Sequence, residues 1–247
     1  MLSAAECNIG AIRIVNQDRI YASDGPVGRL PNLYIVADGM GGHAAGEVAA
    51  AEAVHYCIQF ARDAWAQDPV RLFYEIAQEA NRHVYQISCS NPEYAGMGTT
   101  LVAVTLFDDY VYCVNVGDSR MYVINHEDEF VRITTDHSLV EQMVIRGEIT
   151  EAEARVPPKR NFITRAIGTS PNIEADVYKI PRDYIRKIVL CSDGLSGQVD
   201  DGRIHDIISI DGLPLRTRAQ MLVNEANRNG GLDNVSVILI DPEGGDR

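Results

Sequence analysis

LYIVADGMGGHAAGEVAA, residues 33–50, joins an apolar strand-like run to an aspartate, a cluster of glycines, a histidine and an alanine-rich helical segment. Four kinds of feature share this outline: a phosphate cradle, a dinucleotide fingerprint, a metal site and a tight turn. The residues around the stretch distinguish among them, and the role of Asp38 depends on the outcome.

The glycine cluster fits neither nucleotide motif once its surroundings are considered. GMGGHA (39–44) satisfies the relaxed dinucleotide pattern, but that pattern needs a second strand ending in an acidic residue about 20 positions on. The acidic residue here, Asp63, lies inside CIQFARDAWAQ (57–67), which continues as predicted helix. A P-loop is excluded because no Gly-Lys-Ser/Thr follows the glycines. The stretch therefore predicts a strand that carries Asp38 to its carboxyl end, with glycines that let the backbone bend and expose a carbonyl.

Composition limits the class of protein. With 247 residues and 46% hydrophobic content, we expect one domain over residues 1–241, followed by a polar tail at 242–247. The formal charge of -13 argues against a nucleic-acid partner, which would require excess Lys and Arg. Five cysteines without a CxxC pair indicate reduced, buried thiols and a cytoplasmic location. No apolar run approaches the roughly 20 residues of a membrane span, so we expect none.

The order of predicted elements indicates an α+β fold. Strands are predicted at 9–15, 33–37, 99–107, 110–116, 120–125, 130–134 and 234–240, and helices at 44–63, 68–89, 201–209 and 215–229. We expect the middle four of the first six strands to form an antiparallel meander. Paired helices between blocks of strands favour α+β layers over parallel βαβ units, in which single helices and single strands alternate.

Aspartates recur at the ends of apolar runs. Four directly precede Gly, Ser or Asn, and a fifth, in RIVNQD, is a near relative: Asp38, Asp118, Asp193, Asp233 and Asp18. Each alone is also typical of an ordinary turn. Together they predict carboxylates gathered at one rim of a sheet, where their like charges would raise their pKa values and destabilise the fold unless cations neutralised them.

The donor type predicts the cation. Carboxylate and carbonyl oxygens suit Mg²⁺ or Mn²⁺, whereas the six histidines show no HxH or HExxH spacing, which disfavours zinc. Two such cations bridged by a carboxylate can activate a water and hold a phosphoryl oxygen. Two divalent cations and one arginine would also balance five carboxylates. This arrangement points to phosphoester hydrolysis.

Eight motifs then occur in an order that carries a family resemblance: RIVNQD (13–18), VADGMGGHAAGE (36–47), GMGTTLVAV (96–104), VNVGDSRMYVI (114–124), TTDHS (134–138), NFITRAIG (161–168), LCSDGLSG (190–197) and DNVSVILI (233–240). Together they cover nearly the whole chain, which resembles the bacterial branch of the PP2C-like, metal-dependent protein serine/threonine phosphatases. The resemblance implies a four-layer α-β-β-α sandwich, in which two antiparallel sheets are flanked by helix pairs. It also implies two Mn²⁺ or Mg²⁺ ions at one end of that sandwich.

The resemblance implies a ligand for each metal. Asp38 would bridge the two ions and the Gly39 carbonyl would bind the second, while Asp193 and Asp233 would hold the first. Asp118 matches the position that helps to bind a third, more weakly held metal in bacterial members.

The resemblance also implies catalytic roles. Arg13 would bind the phosphate, for which a guanidinium fork is well suited. Asp18 would orient the attacking water, and His43 would donate a proton to the leaving alkoxide. Cys191 is predicted to lie in the core rather than to act as a nucleophile, and TTDHS is predicted to be a structural turn.

Residues 139–172 are predicted to be the flap, a polar segment with a helix, a Pro157-Pro158 pair and a return strand. Many family members carry His-Pro before the basic-Asn pair, whereas this chain has Pro157-Pro158 before Lys159, Arg160 and Asn161. A flap role that depends on this histidine is therefore not carried over to this chain. The predicted catalytic core is unaffected.

The resemblance implies hydrolysis of phosphoserine and phosphothreonine in proteins by direct attack of a water that bridges the two metals. The expected partners are phosphoprotein substrates, together with a bacterial Ser/Thr kinase that the enzyme opposes. We expect a monomer. Two alternatives remain at this stage: a phosphatase of small phosphate esters, and a catalytically silent relative that binds phosphoproteins.

Overall fold

The computed structural model describes residues 1–42, 45–63, 68–154 and 162–244. Its strands, in chain order, are β1 (Leu2–Asn8), β2 (Asp18–Ser23), β3 (Leu33–Met40), β4 (Gly98–Thr99), β5 (Leu101–Leu106), β6 (Tyr110–Val116), β7 (Arg120–Asn125), β8 (Phe130–Arg132), β9 (Asp176–Pro181), β10 (Ile185–Cys191) and β11 (Val235–Asp241). Its α-helices are α1 (Ala45–Asp63), α2 (Pro69–Ser90), α3 (Leu139–Ile145), α4 (Glu151–Ala154), α5 (Asp193–Ser196), α6 (Asp201–Ile208) and α7 (Leu215–Arg228).

The strands form two antiparallel sheets. The first has the order β1-β11-β10-β7-β8, and the second has the order β2-β3-β5-β6-β9, with the short β4 paired to β3. A buried apolar layer between the sheets includes Tyr34 and Val104 from one sheet and Leu190 and Ile238 from the other. Apolar side chains therefore line the inner face of both sheets, as in face-to-face packing.

Helices cover both outer faces. α1 and α2 pack on the second sheet through a layer rich in alanine, and α6 and α7 pack on the first through Ile204, Leu222 and their neighbours. The small side chains of α1 let it lie close to β3. The predicted α+β sandwich with flanking helix pairs is confirmed.

Local sequence explains where α2 begins and which face it buries. α2 begins after Asp68, whose Oδ1 accepts from the Val70 N–H (3.1 Å), and Pro69 stands at its first position. Its buried residues, such as Phe73, Ile76 and Ala80, recur at helical spacing and face the sheet. None of the helices in the described ranges is long and apolar enough to cross a membrane.

Two strand predictions are wrong. Residues 9–15 form a loop, and the edge strand is β1, just before it. Gly10 has a φ of +82°, and the N–H groups of Ala11 and Ile12 both donate to the Gly231 carbonyl, which takes this segment off the sheet edge. The middle four predicted strands do not form one meander, because β3, β5 and β6 are neighbours whereas β7 lies in the other sheet.

The crossing between the sheets takes place at Gly117, which has a φ of +106° and packs against Thr100. A left-handed residue at this point turns the chain out of one sheet and into the other. Strands β2, β9 and β10 were missing from the predicted set. In the described part of 139–172, α3 and α4 supply helix, and the expected return strand is represented by isolated bridges from Ile163 to Ser138 and from Ile167 to Thr99.

All five cysteines are free, as predicted. Three are buried, at positions 57, 113 and 191, but Cys7 and Cys89 are exposed, so the expectation of buried thiols holds only in part. The two exposed cysteines lie at the end of β1 and in the last turn of α2, where each element reaches the surface.

Two helical glycines form a matched pair for a test of packing. A Cβ atom at Gly194 would overlap the Asn234 carbonyl oxygen, whereas one at Gly202 would meet nothing within 4 Å. We expect Gly194→Ala to lower the free energy of unfolding by about 1–3 kcal/mol, because the backbone must shift. Gly202→Ala should raise it by about 0.5–1 kcal/mol through helix propensity. Urea denaturation measures both, and equal effects would contradict the close approach at Gly194.

Candidate functional site

The structure brings the five predicted aspartates to one end of the sandwich. Asp38 lies near the end of β3 and is paired in register with Asp18, the first residue of β2, in the second sheet. Asp193 follows β10 and Asp233 precedes β11, both in the first sheet, and Asp118 lies in the turn that joins the sheets. The site is therefore assembled from both halves of the fold.

Burial and neighbouring negative charges both act on the carboxyl group of Asp38. The pKa of Asp38 is raised well above its ordinary value, first by burial and then by the negative charges of the other four aspartates, Asp18, Asp193, Asp118 and Asp233. Carboxylates that perturb one another in this way repel when ionised, so a cation that binds among them favours their ionised forms.

Backbone contacts fix the end of β3. The Asp38 N–H donates to Thr100 Oγ1 (2.9 Å), and the Thr100 N–H donates to the Asp38 carbonyl (2.9 Å). A Cβ atom at Gly39 would overlap the Gly46 carbonyl in the first turn of α1. Glycine at 39 is therefore required for the close approach of strand and helix, and the Gly39 backbone lies beside the carboxylate of Asp38.

Asp18 is fully buried under the site. Its Oδ2 accepts from Ser192 Oγ (2.8 Å), whereas its Oδ1 has no hydrogen-bond partner among the described residues. The pKa of Asp18 is raised to about 7, first by burial and also by the charges of Asp193 and Asp233, against the lowering effect of the serine hydroxyls. A buried acceptor that lacks a donor is a candidate site for a water or a cation.

Asp118 repeats this pattern. It is 7% exposed, and burial is the first cause that raises its pKa, followed by the charge of Asp193. Its Oδ1 also lacks a hydrogen-bond partner within the described part of the chain. Two orphaned carboxylate oxygens in one acidic cluster fit the donor chemistry of a hard divalent cation, which takes carboxylate and carbonyl oxygens.

The match between these aspartates and a divalent cation rests on their charge and donor type rather than on a complete set of ligands. In the described ranges, no group of three or more His, Cys, Asp or Glu side chains is arranged to hold a metal ion as it stands. The carboxylate oxygens and the negative charge gathered at this end of the sandwich nevertheless match what a hard divalent cation binds.

Arg13 lies over the acidic cluster. Its Nη2 donates to Asp233 Oδ2 (2.8 Å), and this hydrogen bond is the first cause that raises the pKa of Arg13. The guanidinium side chain is 50% exposed, so a ligand can reach it from solvent. The structure thus places Arg13 beside the carboxylates in a half-exposed salt bridge, and phosphate binding by its guanidinium stays a prediction.

Asn234 holds the Arg13 loop in place and was missed by sequence reasoning. Its Nδ2 donates to the carbonyls of Ile9 (2.9 Å) and Val15 (3.0 Å), and its Oδ1 accepts from the Gln17 N–H (2.8 Å). The side chain is 3% exposed. Its only sequence signal is its place directly after Asp233, in a dipeptide that is also typical of a turn.

The remaining predicted residues lie at the edge of the site or outside the described residues. His43 lies outside them, as does the run 156–161. Cys191 is buried in β10 against α5, and burial raises its pKa to about 12, which disfavours a thiolate nucleophile. His137 Nδ1 accepts from the Gly117 N–H (3.1 Å), and Asp136 pairs with Arg120, so both side chains brace the turn that carries Asp118.

Comparisons with known proteins agree on one family. The family model described as Protein phosphatase 2C matches residues 12–226. The serine/threonine phosphatase stp of Listeria innocua is 36% identical over 217 residues, which cover 85% of this chain and 84% of the relative. The crystal structure of serine/threonine phosphatase Stp1 from Staphylococcus aureus superposes with a TM-score of 0.91 at 32% identity, covering 98% of this chain and 95% of that one.

A second similar structure contains metal. The catalytic domain of serine threonine protein phosphatase PstP, in complex with 2 manganese ions, superposes with a TM-score of 0.84 at 32% identity and covers 97% of both chains. The fold of this chain is thus one in which a related protein holds two manganese ions.

The raised pKa of Asp18 predicts a pH-dependent stability in EDTA. An unfolded aspartate has a pKa of about 3.9, so the folded state binds more protons between pH 4 and 7, and stability falls as pH rises through that window. Asp18→Asn should remove about 2 kcal/mol of the loss in unfolding free energy between pH 5.5 and 7.5. Urea denaturation at the two values measures it, with the exposed Asp211→Asn as control. An unchanged pH dependence in Asp18→Asn would contradict the assignment.

Proposed function

Since the chain belongs to the protein phosphatase 2C family, we propose that its acidic cluster holds two divalent cations and hydrolyses phosphoserine and phosphothreonine in proteins. The chain is a serine/threonine protein phosphatase. The observation that carries the two-cation proposal is the gathering of five aspartates, of which Asp18, Asp38 and Asp118 have raised pKa values and two have buried oxygens with no hydrogen-bond partner among the described residues. Residues 1–241 would act as one catalytic domain, with the flap at 139–172 beside the site.

The metal ligands of the proposal are those that the family resemblance implies. Asp38 would bridge the two ions, the Gly39 carbonyl would bind one of them, and Asp193 and Asp233 would hold the other. Asp118 would contribute to a third, weaker site. When bound, the Mn²⁺ or Mg²⁺ ions supply an activated water for direct attack on phosphorus and neutralise the phosphoryl oxygens.

The protein's own residues position the reactants. Asp18 Oδ2 is held by Ser192, so Oδ1, which has no partner among the described residues, accepts a hydrogen bond from the attacking water and orients its lone pair toward phosphorus. Arg13 grips phosphoryl oxygens with the N–H groups that do not face Asp233, and its charge offsets the developing negative charge. His43, which lies outside the described residues, would donate a proton to the leaving serine or threonine oxygen.

The proposal extends to the setting of the reaction. A phosphoprotein substrate requires a protein kinase to form the phosphate ester, so the enzyme would oppose a Ser/Thr kinase and act on that kinase or its targets. Five free cysteines suit a reducing compartment such as the cytoplasm. We expect the enzyme to act there as a monomer.

Metal dependence tests the chemistry. We expect turnover of a phosphothreonine peptide and of p-nitrophenyl phosphate to require Mn²⁺ or Mg²⁺ and to stop in EDTA. Asp38→Asn should lower kcat/KM by about 100-fold or more, because a cation ligand is lost. Steady-state kinetics measure the effect, with the exposed Asp211→Asn as the matched control.

Full turnover by Asp38→Asn in the presence of Mn²⁺ would overturn the proposal. Calorimetry that detected no high-affinity Mn²⁺ binding would favour a catalytically silent protein that binds phosphoproteins. Higher kcat/KM on small metabolites than on phosphopeptides would favour a phosphatase of small esters.

Arg13 and Asn234 should act as one unit. Arg13→Ala is expected to lower kcat/KM by about 10–100-fold through loss of a charge-assisted hydrogen bond to phosphate. Asn234→Ala should have a smaller effect of the same kind, because the Arg13 loop loses its three anchors. In the double variant the effects should be less than additive. Kinetics and melting temperatures check this, and fully additive effects would show that Asn234 does not act through Arg13.

A further inference from the structure

A cavity of about 370 Å³ extends from the acidic cluster. Four of its lining residues belong to the proposed catalytic site: Arg13, Asp118, Asp193 and Asp233. Its far side is formed by α3, by the end of α4 and by the segment 194–198. Pockets for small ligands span about 300–1,000 Å³, so this cavity has room for more than the phosphate itself.

The lining of the cavity includes apolar side chains from two segments. Val140 and Val144 come from α3, and Leu232 comes from the loop next to Asp233. Leu232 is 49% exposed, although it stands beside a proposed metal ligand. An aliphatic side chain left in solvent at the mouth of a catalytic site is a candidate contact for substrate.

The charged groups on the far side are already paired. Arg120 donates to both Asp136 oxygens and to the Tyr122 hydroxyl. Arg132 donates to both oxygens of Glu141. These guanidinium groups are therefore engaged in the wall, and a second phosphate would have to displace their carboxylates.

The charge count of the lining gives the same answer. Of its charged residues, Asp118, Asp193 and Asp233 are proposed cation ligands and Arg13 is assigned to the phosphate, which leaves Asp136, Glu141 and Asp201 beside Arg120 and Arg132. Asp136 and Glu141 accept hydrogen bonds from these two arginines, and Asp201 accepts one from the Tyr122 hydroxyl, so the charged groups of the wall are engaged with neighbouring side chains. Apolar contact is the remaining source of preference on this wall.

We propose that this cavity receives an apolar side chain of the substrate, located two residues from the phosphorylated serine or threonine. In an extended peptide, residues two apart project from the same face about 7 Å from each other, so both can enter one continuous cavity. Val144 and Leu232 determine this specificity. The inference rests on the proposed function, because it takes the phosphate to be bound at the Arg13 end.

Phosphothreonine peptides test the preference. In an otherwise constant background of alanine, the positions two residues before and two residues after phosphothreonine carry Leu, Asp or Lys in turn, and kcat/KM is measured in Mn²⁺. We expect Leu at one of these positions to exceed both Asp and Lys by about tenfold, the discrimination expected for burial of an aliphatic side chain. Equal kcat/KM for all three residues at both positions would overturn the inference.

Variants locate the preference within the cavity. Val144→Asp should remove the tenfold preference for Leu, whereas Ile145→Asp should keep it, because Ile145 is the next residue of α3, is 67% exposed and does not line the cavity. Leu232→Ser, on the other wall, should lower the preference as well, and its partial exposure makes it a safe substitution if Val144→Asp fails to fold.

The outcomes separate this inference from the function on which it rests. Loss of the preference in Ile145→Asp, or its retention in both cavity variants, would overturn the role of the cavity while phosphopeptide turnover stood. Absence of turnover on every peptide and on p-nitrophenyl phosphate in Mn²⁺ would instead overturn the proposed function, and the inference with it.

Discussion

Repulsion among carboxylates gathered at one end of the sandwich is the constraint on which the site depends. Two of the five aspartates come from the second sheet, two flank strands of the first sheet, and one lies in the turn between them. Burial and mutual charge raise the pKa of Asp18, Asp38 and Asp118. The folded chain holds these groups together against their own electrostatics, which a bound cation would reverse from a cost to a gain.

Close backbone contacts are what oppose that repulsion. Gly39 lies against the first turn of α1, and Gly194 lies against the Asn234 carbonyl, so two ends of the acidic cluster are fixed by contacts that a side chain would prevent. Asn234 adds three hydrogen bonds to the loop that carries Arg13. Arg13 and the aspartates beside it are thus positioned by close backbone packing and by one buried side chain, which limits how far the cluster can rearrange.

Sequence reasoning succeeded where local pattern and burial agree. Helix α2 and strand β6 were predicted within a residue or two, because cap, periodicity and apolar content coincide there. It failed at 9–15, where alternating isoleucines imitate a strand but the N–H groups of Ala11 and Ile12 bond across to Gly231. It failed again at Gly117, since a change of sheet depends on a left-handed residue packed against Thr100 and leaves no periodic signal.

The sequence by itself determined the chemistry: which carboxylates end apolar runs, that their oxygens suit Mg²⁺ or Mn²⁺, and that ordered motifs place the chain in a phosphatase family. Those features are local, because residue type and spacing are written in consecutive positions. Only the tertiary structure decided which side chains share a space: Asn234 with the Arg13 loop, Ser192 with Asp18, and Val144 with Leu232 around one cavity. These pairs join segments far apart in the chain, and their proximity follows from how two sheets pack, which no local pattern encodes.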